Sequence, residues 1–89
     1  MTLEEANELS EYFRLINYED DNTLLEDEFY ELERIRKKNR YAKVIDECRC
    51  DNIYGKVSRE EYEGICDYYY DMAVSVMKDK DKRRVIRKK

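Results

Sequence analysis

Histidine, proline and tryptophan are absent from this chain, and glycine occurs only at Gly55 and Gly64. Each absence removes a class of function. Without histidine no side chain titrates near neutrality in its unperturbed state, so neither a Ser-His-Asp arrangement nor a histidine general base is available. The hydroxyls at Thr2, Ser10, Thr23, Ser58 and Ser75 fall mostly at expected helix caps or helix surfaces. Two well-separated glycines cannot supply the converging backbone N–H groups of a phosphate-cradling loop. No run approaches the ~18 apolar residues of a membrane-spanning helix, and the acidic start Met1-Thr2-Leu3-Glu4-Glu5 is unlike a secretory signal. The expectation is a cytoplasmic protein that is not an enzyme, holds no cofactor and makes no membrane contact.

Cysteine is sparse as well. Cys48, Cys50 and Cys66 are an odd number without a framework of spacings, which argues against a disulfide-stapled scaffold. Cys48-x-Cys50 with Cys66, completed by Asp51 or Asp67, is the one zinc set on offer, but structural sites pair a C-x₂₋₄-C with a second pair or with histidines, so no metal is expected. Glu60, Glu61 and Glu63 cluster where carboxylates complement the start of a helix.

What is present is charge, in 45% of residues, with a mean hydropathy of -1.03. A chain of 89 residues buries only about 60% of the surface its unfolded form exposes, so the core will be thin. The charge is uneven: residues 1–33 carry twelve acids and one arginine, Arg14, whereas residues 34–89 carry seventeen bases and ten acids. Such halves either attract each other inside one bundle or steer the chain toward a partner.

Helix signals run the length of the chain. Thr2 and Glu5 form a capping box, and Ala6, Leu9, Phe13 and Ile16 follow on one stripe of a helix ending near Asn17, with residues 18–22 as the loop. Thr23 and Glu26 repeat the cap, and Leu25, Phe29 and Leu32 carry the next stripe. The bases of residues 34–40 interrupt it before Tyr41, Ala42, Val44, Ile45 and Cys48 resume. One long or kinked helix from Leu24 to about Cys48 is expected, with a β-hairpin through Val44 and Ile53 as the alternative. Asp51 to Gly55 is the clearest turn. Ser58 with Glu61 caps a helix on which Tyr62, Ile65, Cys66, Tyr69, Met72, Ala73, Val76 and Met77 share a face. The fold class is all-α: a small antiparallel bundle of three helices, or four if the second breaks near Asn39, over residues 1–79, with a basic C-terminal tail at 80–89.

Residues 17–29 and 50–62 loosely resemble paired EF-hand loops. Glu28 and Glu61 stand at the twelfth position, each before an aromatic residue, and Gly55 holds the turn of the second loop. The resemblance implies calcium, yet Cys50 and Tyr54 replace oxygen ligands and Asn22 replaces the first turn glycine, so calcium is not expected.

Nine tyrosines carry the main functional signal, because tyrosine joins large contact area to a polar tip. In Tyr68-Tyr69-Tyr70 the middle ring lies in the stripe and its neighbours flank it about 100° to either side. Tyr68, Tyr70, Tyr30, Tyr41 and Tyr54 are the expected partner-binding residues of a small regulator or inhibitor that docks on a larger protein. Its compact, charged, tyrosine-rich composition resembles that of small phage-carried proteins, which commonly occlude host machinery. In a variant of this reading, Glu4, Glu8 and Glu11 on one face, with Asp20, Asp21, Glu26 and Asp27, imitate DNA phosphates. The second reading is nucleic-acid binding through Arg34, Arg36, Lys37, Lys38, Arg40 and Lys43 with Arg83, Arg84 and Arg87 of the tail. The third is a self-assembling helical module, a homodimer joined through Tyr62, Ile65, Tyr69, Met72 and Val76, whose spacings alternate three and four.

Overall fold

In the computed structural model the backbone is described for residues 1–88 and the side chains for residues 1–80, so Arg83, Arg84 and Arg87 lie outside the described side chains. Four helices follow one another: α1 (Leu3–Asp20), α2 (Glu26–Lys38), α3 (Arg40–Ile53) and α4 (Arg59–Lys88). The fold is all-α, and no helix among the described residues is long and apolar enough to cross a membrane.

The Thr2 cap forms as its sequence implies: Oγ1 accepts from the Glu5 N–H at 3.1 Å and the Glu5 carboxylate accepts from the Thr2 N–H at 2.9 Å. The helix then runs three residues beyond Asn17, because nothing between Tyr18 and Asp20 breaks it. It closes where Asn22 takes φ 59°, a left-handed conformation that asparagine tolerates. Thr23 does not cap α2. Its hydroxyl donates to the Tyr18 carbonyl at 3.3 Å, and α2 starts instead after Leu25, whose N–H donates to the Glu28 carboxylate at 3.2 Å. Acids fill the first turn of α2 and bases its last, in the sense the helix dipole favours.

The expected long second helix is two helices, divided by the single residue Asn39 at ψ 117°. Asn39 is the buried polar residue of the core and every polar group on it is engaged. Its N–H donates to the Ile35 carbonyl at 2.8 Å and its carbonyl accepts from the Lys43 N–H at 3.1 Å. Its Oδ1 accepts from the N–H groups of Tyr41 and Ala42 at 3.0 and 3.2 Å, and its Nδ2 donates to the Glu5 carbonyl at 3.1 Å. One side chain thus starts α3 and ties the α2/α3 corner to α1. The alternative hairpin is excluded, since Val44 and Ile53 both lie within α3. Gly55 makes the following reversal at φ 80°, and the Ser58 hydroxyl accepts from the Glu61 N–H at 3.1 Å to start α4. Helix α4 continues through Lys88, so the backbone of the basic segment 80–88 prolongs it.

Side-chain pairs give the directions. Glu28 meets Arg14, Arg34 meets Glu8 and Lys38 meets Glu4, so α2 returns along α1. Helix α3 then carries the chain from Glu5 back to Glu19 and Asp20, which Arg49 reaches. Helix α4 runs against α1, placing Tyr70 on Phe13 and Met77 beside Ser10. At ~1.5 Å per residue its 30 residues span about 45 Å, most of the 52 Å length of the molecule.

Helix α1 touches all three others, and its buried stripe is accordingly wider than the amphipathic pattern implies: Ala6, Leu9, Tyr12, Leu15 and Ile16 are buried, while Phe13 is only half-buried. Leu32 and Ile35 of α2, Ala42 and Ile45 of α3 and Ala73 of α4 complete the core. Leu25 and Phe29, expected on the α2 stripe, are exposed at its N-terminal end.

Candidate functional site

The basic residues of 34–43 were candidates for phosphate contacts, and most of them are turned to this chain's own carboxylates. Arg34 pairs with Glu31 and with Glu8 at 3.4 Å, Lys38 with Glu4 at 2.8 Å and Glu8 at 3.3 Å, and Arg40 with Glu5 at 3.3 Å. Arg36 is turned furthest inward and meets Glu19 at 2.8 Å, Asp46 at 3.1 Å and Glu33 at 3.2 Å. Among the described residues Lys37 and Lys43 make no ion pair. Among the described residues, acids of α1 and α2 are therefore paired inside the bundle with bases of α2 and α3. The same pairing occupies Glu4, Glu8 and Glu11, the face that would imitate DNA, the last of them through Arg14.

Glu19 is the centre of a network joining α1, α2 and α3, since Arg49 also reaches it, at 2.9 Å, and pairs with Asp20 as well. Partial burial pushes the Glu19 carboxyl up, but its hydrogen bonds to Arg36 and Arg49 outweigh that and hold it below the usual value near 4.5. A depressed carboxyl stabilises the fold above its ordinary pKa, and that contribution is lost as pH falls through the folded value. Stability is therefore expected to drop on acidification below about pH 4.5. Replacing Glu19 with Gln should flatten that part of the curve, as read by circular dichroism during acid titration.

The tyrosines separate into distinct places. Tyr68 and Tyr70 stand on opposite flanks of α4, as their spacing implies, and both are exposed, 61% and 48%. Tyr68 packs edge-on against Tyr69 at 5.3 Å between ring centroids, and Tyr69 leans on Tyr41 at 5.4 Å. Tyr41 is half-buried against the core, with the Arg40 guanidinium over its ring at 4.9 Å from the ring centre. Tyr70 stands edge-on to Phe13 at 5.5 Å. Tyr30 is exposed beside Phe29 at 5.9 Å, and Tyr54 is exposed in the turn after α3 with no ring contact among the described residues. Leu25 and Phe29 join Tyr30 in an exposed apolar end of α2. Sequence reading missed this, because those residues fit a core stripe whose first turn has too little opposite it to be covered.

Of the expected dimer seam, Tyr62, Tyr69 and Val76 pack on the core of their own chain, and Ile65 and Met72 are half-buried. Cys66 also packs on the core, where burial pushes its thiol up; Cys48 is half-buried and Cys50 exposed, both within α3. Residues 17–20 and 50–53 are helical, so the segments that resembled EF-hand loops are not loops in their first third.

Two concave surfaces flank α4, one on each side. The first is a groove between α3 and α4 lined by Val44, Glu61, Gly64, Ile65, Tyr68 and Tyr69, with about 470 Å³ of space. The second, about 680 Å³, lies between α1 and α4 on the Tyr70 side. No family model matches the chain, and no curated protein or solved structure matches it either.

Proposed function

We propose that this chain is a small protein-binding module that docks on a larger protein through the α3/α4 groove, with Tyr68 as the anchoring ring. The observation that carries the reading is the mounting of Tyr68: largely exposed, yet braced by Tyr69, which rests in turn on the half-buried Tyr41. A ring held in place before binding loses little rotamer freedom on contact, which is what makes tyrosine an efficient anchor. Val44 and Ile65 add apolar surface, and Gly64 leaves open space, since beyond the backbone of α4 and the adjoining residues nothing lies within 4 Å of where a Cβ would stand. The internal pairing of Arg34, Arg36, Lys38 and Arg40 weighs against the nucleic-acid reading, because each phosphate contact would first have to break an ion pair.

A photoreactive phenylalanine analogue at position 68, in the cells that make the protein, is expected to give a discrete adduct with a larger protein. The same analogue at position 54 is not. Tyr68→Ala should weaken that complex by about tenfold or more. Gly64→Leu separates folding from binding: it should leave the helix as stable or firmer by roughly 0.5–1 kcal/mol, while filling the groove and removing the adduct. An adduct of twice the chain's mass would mean self-association instead, and unchanged binding by Gly64→Leu would refute the groove.

A further inference from the structure

The second concave surface has a chemistry the first lacks. Its floor is apolar and aromatic, from Phe13, Ile16, Tyr62, Cys66 and Tyr70, and its rim carries three carboxylates, Asp20, Glu63 and Asp67, against one guanidinium, Arg59. Two of the carboxylates are already engaged, Asp20 by Arg49 and Glu63 by Arg59 at 3.1 Å, whereas Asp67 makes no ion pair among the described residues. Arg59 is highly exposed, so its hold on Glu63 is a weak surface pair that another cation can replace.

We propose that this cleft binds an arginine side chain carried by a basic, apolar peptide segment of a partner protein. The match is between a long apolar stem ending in a flat, delocalised cation and a cleft with aromatic walls below and net negative charge at the edge. Rings at Tyr62, Tyr70 and Phe13 take the stem and the guanidinium face, and the carboxylates of Asp67 and Glu63, one turn apart on α4, accept from its N–H groups.

Other ligands fit less well. A phosphate would meet the rim carboxylates. A neutral apolar group would strip water from Asp67 without replacing it. No three His, Cys, Asp or Glu side chains among the described residues stand together as a metal set, so the rim suits an extended cation better than a point charge. This surface is independent of the Tyr68 groove, and either can bind without the other.

The test uses the whole ¹⁵N-labelled chain at low salt, titrated with the peptide acetyl-Leu-Arg-Leu-amide. Resonance shifts are expected at the amides of Ile16, Cys66 and Tyr70. The citrulline analogue, equal in shape but uncharged, should bind about tenfold more weakly. Asp67→Asn, at an exposed position that the fold does not use, should weaken the arginine peptide by about fivefold. Arg59→Ala should act in the opposite direction, tightening it by about twofold, because Glu63 is then free. Equal binding of the two peptides would overturn the proposal. So would shifts confined to Val44, Ile65 and Tyr68, a result that would place the peptide in the other groove and leave the reading of that groove standing.

Discussion

Tyr12→Ala is expected to cost about 3–5 kcal/mol and to lower the melting temperature by on the order of 20 °C, as followed by far-UV circular dichroism. Tyr12 is the largest fully buried side chain, and it sits on the helix that touches the other three. Removing its ring opens a cavity where α1 faces the Arg36 and Arg49 network, whose guanidinium at Arg36 lies 5.9 Å from the ring centre. A domain of this size is held by roughly 5–15 kcal/mol, so the loss takes a large share of the whole. Tyr12→Phe should behave differently. The Tyr12 hydroxyl is buried beside Arg36 without a hydrogen bond of normal geometry, and deleting it keeps the ring and removes an unmatched polar group. Stability should stay within about 1 kcal/mol of the parent or rise. A Phe variant as unstable as the Ala variant would show that the hydroxyl, not the ring, holds this part of the core.

Asn39→Ala is the second large effect, at about 2–4 kcal/mol. Two losses combine: the N-cap of α3, in which Oδ1 accepts from two backbone N–H groups, and the Nδ2 bond to the Glu5 carbonyl, which ties the corner to α1. Asn39→Ser restores an acceptor for the cap but not the donor to Glu5, and should recover about 1 kcal/mol of the loss in urea unfolding. If Ser recovers everything, the bond to α1 contributes nothing and the corner is held by its cap alone. Helicity of the folded state should be unchanged in both, since α2 and α3 keep their own hydrogen bonds.

Local signals were read correctly where the cause is local. The Thr2 and Ser58 caps and the face of α4 that holds Tyr62, Cys66, Tyr69, Ala73 and Val76 each depend on residues within one or two turns of each other, whereas the turn expected over Asp51 to Gly55 forms only at its end, because α3 runs on to Ile53. The opposite placing of Tyr68 and Tyr70 follows from helix geometry alone. The sequence did not show the contacts that a distant residue decides. Thr23 has the spacing of a cap, but the Tyr18 carbonyl claims its hydroxyl. Arg36 has the composition of a phosphate contact, but Glu19, seventeen residues away, and Asp46 turn it inward. Tyr41 looks like a surface ring until Tyr69, on another helix, is laid against it.

By itself the sequence determined that the fold is all-α, because absent proline, scarce glycine and repeated caps leave helix as the readiest way for the backbone to satisfy its N–H and C=O groups. The tertiary structure decided between the two helix counts the sequence offered and, among the described residues, which charges and rings face outward. The corner at Asn39 combines a local cap on Tyr41 and Ala42 with a bond to a carbonyl thirty-four residues away, and Arg34 and Lys38 of the basic stretch meet acids of another helix. Those choices belong to contacts between helices, whose energies depend on what lies opposite and not on what lies next in the chain.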